Sequence, residues 1–474
     1  MNLFLFLPET VLLAAIVILL CLTLAKKDYG TPVLGFFLPA LGAILVLASF
    51  SSLPHSGNLF SNAYRVDPLA QGFKCLIALS FFFTAILNQN RLSIPFDREI
   101  EYGIFLLSAT LGMMMMTGAV DLLALYVSME LSSYSLYLLA SLRQDRRSPE
   151  AGVKYLIFGA AASGVFLWGA SLVTGLSGTT SLLEISGKVP VLIWQPAFSL
   201  GLVFASFAFL FKLSGFPLHF WAPDVYESAP TPVTNFIATA SKATAVAILI
   251  RFFMLTGIPG VFIAALGALA FVSMTLGNTV ALVQQDVKRL LAYSSIAQAG
   301  YILTGLLAGS FAGYSSSFFY AFAYVLMNTG AFLVTSVVAK TANHDNPRLS
   351  DFDGLAERSP FLALLLLLSL LSLAGIPPLV GFTGKWILFS AAMDKGHWFL
   401  VLWGVLNSVV SLFYYLTLVK HAYLEKPVVS APIAVSGGTR WLGLFLIIGL
   451  IALGLFPNAF ITFAQQAILK GAAL

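Results

Sequence analysis

Four ionisable residues lie well inside stretches of sequence that are otherwise apolar: Glu130, Lys212, Lys242 and Lys385. An ionised side chain at the centre of a lipid bilayer costs roughly 2.5 to 3.5 kcal/mol, so each residue needs a partner or a function. Burial favours the neutral form of such a group, whereas a nearby opposite charge favours its charged form. Moving the partner therefore changes the protonation of the group. One carboxylate and three lysines in this setting predict a proton relay.

Each residue also has a structural interpretation. Glu130 can be a carboxylate hydrogen-bonded to neighbouring Ser and Tyr side chains, and Lys212 can snorkel to an interface. The relay is favoured because Lys212 precedes a Gly-x-Pro sequence at 215–217, which interrupts a helix and frees backbone carbonyls. Lys385 similarly follows Gly-Ile-Pro-Pro at 375–378.

Three further residues are secondary candidates. His219 follows the first break, and Asp224 and Glu227 come soon after it. They can guide protons at the mouth of the relay, but an interfacial histidine and helix-capping acids are equally expected. Lys74, seven residues from Asp67, is interpreted as snorkelling or pairing with Asp67, outside the site.

The composition requires a membrane. Of the 474 residues, 59% are hydrophobic and 9% are charged, against about 25% charged residues in soluble proteins. The mean hydropathy is +0.92. These values exclude a soluble enzyme, a secreted module and a nucleic-acid-binding protein. Cys21 and Cys75 each lie in an apolar run, so the sequence predicts neither a disulfide framework nor an iron–sulfur site.

A helix needs about 20 apolar residues to cross the hydrocarbon core. The sequence contains fourteen such stretches, the weakest being the pair divided at Asp121 and the long stretch interrupted near Pro377. The predicted spans are 3–25, 32–51, 67–88, 102–119, 121–141, 153–175, 198–219, 231–254, 260–283, 289–308, 314–339, 360–391, 398–422 and 440–465.

The basic residues predict the orientation. Sixteen of the 25 lysines and arginines follow odd-numbered spans, which places those loops in the cytoplasm and both termini outside. They are Lys26, Lys27, Arg91, Arg98, Arg143, Arg146, Arg147, Lys154, Lys288, Arg289, Lys340, Arg348, Arg358, Lys420, Lys426 and Arg440.

A faint internal repeat divides the chain. The Ser-Ser pair at 132–133 recurs at 294–295, and the Gly-x-Pro at 215–217 recurs at 375–377. Similar offsets five spans apart predict two five-helix units of inverted orientation with broken helices. The expected fold is an all-α polytopic membrane protein with four parts: helices 1–3 (1–101), helices 4–8 (102–259), helices 9–13 (260–425) and helix 14 (426–474).

Three long motifs carry a family resemblance: WAPDVYESAPTPVTNFIATASKA (221–243), QQDVKRLLAYSSIAQAGYIL (284–303) and LAGIPPLVGFTGKW (373–386). They closely resemble the subunit N family of bacterial proton-pumping NADH–quinone oxidoreductase, respiratory complex I, whose mitochondrial counterpart is NADH dehydrogenase subunit 2. The PDVY and ATASK strings distinguish this family from its two larger antiporter-like relatives.

The resemblance implies a proton-translocating module in the membrane arm of complex I. Glu130 and Lys212 match the family's coupled pair on spans five and seven, Lys242 its central lysine and Lys385 its terminal lysine. The chain would hold no cofactor, because FMN, iron–sulfur clusters and quinone serve partner subunits. Expected partners are antiporter-like and small membrane-arm subunits and lipids, in a bacterial inner membrane rather than an organellar one.

Two other classes remain open at this point. The chain can be a stand-alone proton antiporter or a subunit of a multisubunit Na+/H+ antiporter, which shares the antiporter-like fold. It can also be a structural membrane subunit whose buried charges fix helix packing. The PDVY and ATASK strings favour the complex I family over the antiporters.

Overall fold

A computed structural model of the chain describes residues 3–24, 32–90, 94, 98–143, 145, 147–427 and 431–472. Within these ranges the chain is predominantly helical, as the sequence predicts, and it contains one short β-hairpin. Four basic residues used to predict the orientation lie outside the described residues: Lys26, Lys27, Arg91 and Arg146.

The α-helices differ greatly in length, from one turn to about nine turns. They are α1 (Leu7–Leu24), α2 (Pro32–Ser52), α3 (Pro68–Leu87), α4 (Glu99–Gly118), α5 (Leu122–Ala140), α6 (Arg147–Ser177), α7 (Leu182–Leu192), α8 (Pro196–Leu213), α9 (Trp221–Ser228), α10 (Thr231–Phe236), α11 (Lys242–Thr256), α12 (Gly260–Ala281), α13 (Val287–Leu307), α14 (Phe311–Ala342), α15 (Leu355–Arg358), α16 (Pro360–Ala374), α17 (Val380–Met393), α18 (Trp398–Tyr423), α19 (Gly437–Leu455) and α20 (Asn458–Ala472).

Shorter elements connect these helices. Strands β1 (Gly57–Leu59) and β2 (Tyr64–Val66) pair antiparallel between α2 and α3. Short 3₁₀ helices cover Leu3–Phe6, Asn88–Asn90 and Leu349–Phe352. A π-helix, Ile237–Ser241, joins α10 to α11 and makes one continuous helical span of Thr231–Thr256.

Thirteen of the described helical stretches are long and apolar enough to cross a membrane, so the chain is an integral membrane protein. The predicted twelfth span, 360–391, is two shorter helices, α16 and α17, separated by residues 375–379. Gly375 ends α16 at φ +92°, a left-handed conformation that glycine adopts without the cost of a Cβ.

Other predicted boundaries are wrong. The last predicted span, 440–465, is not continuous, because α19 ends at Leu455 and α20 begins at Asn458, just after Pro457. A proline has no backbone N–H to continue a helix. The predicted spans leave a gap at 176–197, and this gap contains α7, whose first turn is capped by the Ser181 side chain.

The interior of the bundle is built mainly from α3, the Thr231–Thr256 span, α13 and α14, which are almost wholly buried. Small Ala, Ser and Thr side chains in the Thr231–Thr256 span let neighbouring helices approach closely. The outer helices, including α1, α2, α12 and α19, expose much of their apolar surface. Exposed apolar faces of this kind suit contact with lipid tails.

Two helix starts are built alike. The predicted division at Asp121 is correct: its side chain caps the first turn of α5, and Asp286 caps α13 in the same way. Asp121 forms an isolated antiparallel bridge with Ser181, and Asp286 forms one with Arg348. Each bridge ties the start of a helix to the segment that follows the next long helix.

Candidate proton-relay site

Glu130 of α5 and Lys212 of α8 lie near each other inside the bundle. Glu130 Oε1 accepts a 2.5 Å hydrogen bond from Ser163 Oγ of α6. The Lys212 ammonium donates a long, 3.5 Å hydrogen bond to Ser132 Oγ, two residues after Glu130, and interacts electrostatically with the Glu130 carboxylate. The structure therefore brings the predicted pair together, with serine hydroxyls at the contact positions.

The predicted helix break after Lys212 is present. The helix α8 ends at Leu213, and Ser214 takes a left-handed conformation with φ 57°. The carbonyl oxygen of Phe211, in the last turn, accepts a 3.2 Å hydrogen bond from Trp221 Nε1 of the next short helix. The break is closed by an aromatic side chain, and Lys212 is 3% exposed.

Lys242 is the first residue after the π-helix, and it is buried between α11 and α13. Its ammonium donates to the Ser295 carbonyl oxygen at 3.0 Å and to Ser295 Oγ at 2.7 Å. Neutral oxygens are therefore its hydrogen-bond acceptors. A π-helix is wider than an α-helix and often occurs at a functional position.

Lys385 of α17 lies against the break that precedes it. Its ammonium donates to the carbonyl oxygens of Leu373 and Ala374, both at 3.0 Å, and to Ser408 Oγ at 3.2 Å. It also lies 4.4 Å from the centre of the Tyr301 ring. The end of α16 supplies these carbonyls because the last carbonyls of a helix have no partners within it.

A row of polar groups lies between the lysines of α11 and α17. Ser294 Oγ lies 2.5 Å from Tyr415 OH, and Tyr415 also hydrogen-bonds Gln298. Gln298 Nε2 donates at 3.2 Å to the Leu373 carbonyl oxygen, which Lys385 also contacts. Ser294 is the sequence neighbour of Ser295, which accepts from Lys242, so the row begins beside one lysine and ends at a carbonyl that the other contacts.

The sequence interpretation missed Gln298, Tyr301 and Tyr415. Gln298 carries a signal, because an amide inside an apolar span needs hydrogen-bond partners. The tyrosines carry none that separates them from the other aromatic residues of this chain. Only the fold shows that they lie between the lysines.

Aromatic rings occupy the corresponding region between Lys212 and Lys242. Phe211 packs on Trp221 with ring centres 5.4 Å apart, and Trp221 packs on Tyr226 at 6.4 Å. Tyr226 OH reaches Ser295 Oγ at 3.5 Å. Within the described residues this route consists of ring contacts and one long hydrogen bond, in contrast to the polar row on the other side of Lys242.

The secondary candidates lie together at one end of the bundle. We call it the basic end because Arg147, Lys154 and Arg289 lie there. Asp224 forms ion pairs with Lys154 at 3.0 Å and with Arg289 at 3.1 Å. Glu227 pairs with Arg289 at 2.8 Å and with Arg147 at 3.2 Å. Both acids are therefore held in an ion-pair network, and neither caps a helix.

His219 lines a cavity of about 640 Å³ at the same end, together with Asp224, Lys154 and Arg289. Burial lowers the pKa of the His219 imidazole below its ordinary value, so the ring is neutral at neutral pH. The cavity leads from the ion-pair network towards the break after α8. It gives His219 and Asp224 a shared approach from the basic end.

The interpretation of Lys74 is wrong. Lys74 is fully buried and forms an ion pair of 2.7 Å with Glu9 of α1, while Asp67 accepts two 2.8 Å hydrogen bonds from Arg251. Sequence reasoning missed Glu9, although an acid in an apolar first span was a readable signal. Its partner lies 65 positions away, beyond the reach of local patterns.

The described residues contain no group of three or more His, Cys, Asp or Glu side chains able to hold a metal ion. The candidate site is instead built from lysines, hydroxyls and backbone carbonyls. Such groups can bind, hold and pass protons through hydrogen bonds.

The comparisons with known proteins define the class first. A family model described as "NADH:quinone oxidoreductase/Mrp antiporter, TM" matches residues 119–411. The chain also has the fold of a subunit in the structure of the Mrp complex from Dietzia sp. DQ12-45-1b, with a TM-score of 0.88, 19% identity and coverage of 100% of this chain and 98% of that one. It is an antiporter-like membrane subunit.

Relatives that match over almost their full length identify the family within this class. The chain is 44% identical over 472 residues to "NADH-quinone oxidoreductase subunit N 2" of Syntrophobacter fumaroxidans, covering 98% of this chain and 99% of that one. It is 32% identical, with a TM-score of 0.85, to a chain of respiratory complex I from Thermus thermophilus with bound aureothin, covering 97% and 99%. The chain belongs to the NADH-quinone oxidoreductase subunit N family.

Proposed function

We propose that this chain is a proton-translocating membrane-arm subunit of NADH–quinone oxidoreductase and that Glu130, Lys212, Lys242 and Lys385 carry the protons. The hydrogen-bonded row between Lys242 and Lys385 carries this proposal. A purely structural buried lysine is expected to have a carboxylate partner, because an unpaired buried charge is costly. The hydrogen-bond acceptors described around these two lysines are hydroxyls and carbonyls. Such neutral acceptors suit a lysine that gains and loses its proton.

Protons enter through the cavity at the basic end, where His219 and Asp224 line the approach to Lys212. The charge on Lys212 depends on Glu130, because the carboxylate stabilises the ammonium. Weakening that interaction releases the proton towards Lys242. From there the hydroxyls of Ser294 and Tyr415 pass it, with water completing the path, towards Lys385, while Gln298 and Lys385 share the Leu373 carbonyl as acceptor.

The energy comes from other subunits. In this assignment electrons pass from NADH through FMN and iron–sulfur clusters to quinone in partner subunits, and this chain holds none of these groups. Moving one proton against about 150 mV costs about 3.5 kcal/mol. The direct neighbours are other antiporter-like and small membrane subunits, with lipids around the bundle.

We assign residues 102–259 and 260–425 to two inverted five-helix units, flanked by helices 1–3 (1–101) and helix 14 (426–474). Two pairs of matching features support this division. Asp121 and Asp286 cap helices and form bridges in the same way. Ser214 and Gly375 end helices in left-handed conformations, each donating its N–H to the carbonyls three and four residues earlier.

We place the basic end in the cytoplasm of a bacterium, with both termini on the periplasmic side of the inner membrane. The loops after spans five, seven and nine meet at this end through Arg143, Arg289 and Glu227. This agrees with the positive-inside rule, which places excess lysine and arginine in cytoplasmic loops.

The decisive experiment is to purify the tagged chain from its native membrane in mild detergent, identify its partners by mass spectrometry and measure NADH–quinone reductase activity and proton uptake after reconstitution. Co-purifying flavin and iron–sulfur subunits are expected, and Lys212→Ala should assemble but lose pumping. The matched control is Lys395→Ala, which alters an exposed lysine.

Two results would contradict the proposal. A preparation that contains only small antiporter subunits and exchanges sodium for protons would identify an antiporter. Loss of assembly in Lys212→Ala, with normal assembly in Lys395→Ala, would assign the buried lysine to scaffolding.

A further inference from the structure

The N-terminal helices contain a buried ion pair between Glu9 and Lys74, outside the segment that the family model matches. Glu9 Oε1 lies 2.7 Å from Lys74 Nζ and accepts a 2.6 Å hydrogen bond from Tyr64 OH. The Glu9 and Lys74 side chains are both 0% exposed. Lys74 Nζ also lies 5.2 Å from the centre of the Tyr64 ring.

Lys74 is anchored on α3 at nearly the same depth in the bundle as Lys242. The helix α3 runs antiparallel to the Thr231–Thr256 span, because Asp67 contacts Arg251 at one end and Thr84 contacts Asn235 at 3.1 Å near the other. At about 1.5 Å per residue, Lys74 is about 10 Å along α3 from Asp67, and Lys242 is about 13 Å along α11 from Arg251. The two lysines therefore differ in depth by about 3 Å.

The pair has unused hydrogen-bonding capacity. Glu9 Oε2, Gln71 Oε1 and Ser49 Oγ are buried and have no hydrogen-bond partner among the described residues. Gln71 is one turn from Lys74, and its amide nitrogen donates to the Ser52 carbonyl at 3.1 Å. Buried polar atoms without protein partners are usual binding places for internal water.

A similar atom lies beside Lys242. Ser241 Oγ is buried without a partner in the described part of the chain, and Ser241 ends the π-helix that packs against α3. Unsatisfied polar groups thus occur on both helices, α3 and the Thr231–Thr256 span, at the depth of Lys74 and Lys242.

We propose that Glu9, Lys74 and Tyr64 form a protonatable side branch that exchanges protons between the level of Lys242 and the periplasmic face; this rests on the function proposed above. In the resting pair the positive charge of the Lys74 ammonium and the negative charge of the Glu9 carboxylate neutralise each other. An arriving hydronium gives its proton to Glu9 Oε2: an O–H bond forms on the carboxyl group as one breaks in hydronium, leaving water. The reverse transfer to water on the periplasmic side releases the proton.

The location of Glu9 suits this release. Glu9 is in the first turn of α1, close to the end of the bundle opposite the basic end, and Tyr64 belongs to the hairpin that precedes α3. The other charged groups beside Tyr64 are Asp67, Arg251 and the adjacent Arg65, and Asp67 pairs with both arginines. The acid on which a proton would arrive is therefore Glu9.

The test uses the whole complex carrying the double substitution Glu9→Gln with Lys74→Met. Replacing a buried ion pair by neutral groups of similar volume is often neutral for stability, so a purely structural pair predicts normal pumping. We expect NADH oxidation to persist while proton uptake per NADH falls. Infrared difference spectra of the wild-type complex should show a protonated carboxyl group that is lost in Glu9→Gln.

Lys242→Ala, measured alongside, separates the two proposals. If Lys242→Ala abolishes pumping while the double variant pumps normally and the spectra are unchanged, the side branch is wrong and the main relay stands. If Lys242→Ala itself pumps normally, the main relay fails. Should the double variant not assemble, Tyr64→Phe decides: removal of one hydroxyl must shift the Glu9 carboxyl band, and an unchanged spectrum would overturn the branch.

Discussion

The lysines beside the two helix breaks are held in different ways. Lys212 has one long hydrogen bond, of 3.5 Å, to a serine and depends on the field of Glu130. Lys385 has three hydrogen bonds of 3.0 to 3.2 Å to neutral oxygens and an aromatic ring beneath it. The stability of the Lys212 ammonium depends on a neighbouring charge that can change. The stability of the Lys385 ammonium depends on backbone carbonyls in fixed positions.

This difference suggests separate tasks for the two ends of the relay. A loosely held lysine next to a carboxylate responds to small movements of that carboxylate, which suits a control point. A lysine surrounded by fixed carbonyl dipoles keeps the same surroundings throughout. Substitutions at both ends of the relay test this difference.

The largest effect is expected from the control point. Glu130→Gln with Lys212→Met removes both charges and should lower the pumping rate by about 100-fold or more, the usual size of a lost general acid–base group. The reason is that no charge remains to be switched. Proton uptake and assembly should be measured together, and near-normal pumping by the double variant would mean that the pair only balances charge.

The two breaks should respond differently to alanine. At Gly375, φ is +92° and a Cβ would lie 3.0 Å from Lys385 Cδ, so Gly375→Ala should lower stability and displace the lysine. The left-handed strain alone is about 1 to 2 kcal/mol. At Gly215, a Cβ meets Leu303 at 3.5 Å, an ordinary contact, so Gly215→Ala is the matched control.

Thermal inactivation and proton uptake of both assembled variants test this asymmetry. We expect Gly375→Ala to lose activity at a lower temperature and to pump more slowly than the wild type. Equal behaviour of the two variants would show that the breaks are held in the same way.

A moderate effect is expected from the row between the lysines. Gln298→Leu removes the amide that reaches the Leu373 carbonyl and should slow pumping about fivefold, the value of roughly 1 kcal/mol for one net hydrogen bond. A stronger dependence on D₂O should accompany the slowing, because proton transfer then limits the rate. An unchanged rate and isotope effect would remove Gln298 from the path.

The smallest effect is expected at the basic end. Glu227 pairs with two partly exposed arginines, and such pairs contribute about 0 to 1 kcal/mol and are screened by salt. Glu227→Gln should change pumping by less than about twofold in salt-containing buffer. A comparison at low and high ionic strength checks this, and a large loss at both would give Glu227 a direct part in proton entry.

The sequence predicted the elements whose signal is local. An apolar run of about 20 residues predicts a span, and a charge within such a run marks Glu130 and the three lysines without further information. The split at Asp121 and the break before Lys385 were readable because capping acids, glycine and proline act on the adjacent backbone.

The remaining features depend on contacts distant in sequence. Gln298 and Tyr415 are ordinary polar or aromatic residues until the fold brings them together, and Glu9 meets Lys74 across 65 positions. The short helix α7 lies in a segment too short and too mixed to indicate a span. Local patterns contain no information about such pairings.

The π-helix at Ile237–Ser241 gives the span that carries Lys242 one residue more than a regular helix would need. If the same residues were wound as an ordinary α-helix, the additional residue would turn everything beyond it by about 100°, since each residue advances an α-helix by that angle. Lys242 would then face away from Ser295, and Arg251 away from Asp67. The orientation of both basic side chains therefore depends on this one additional residue.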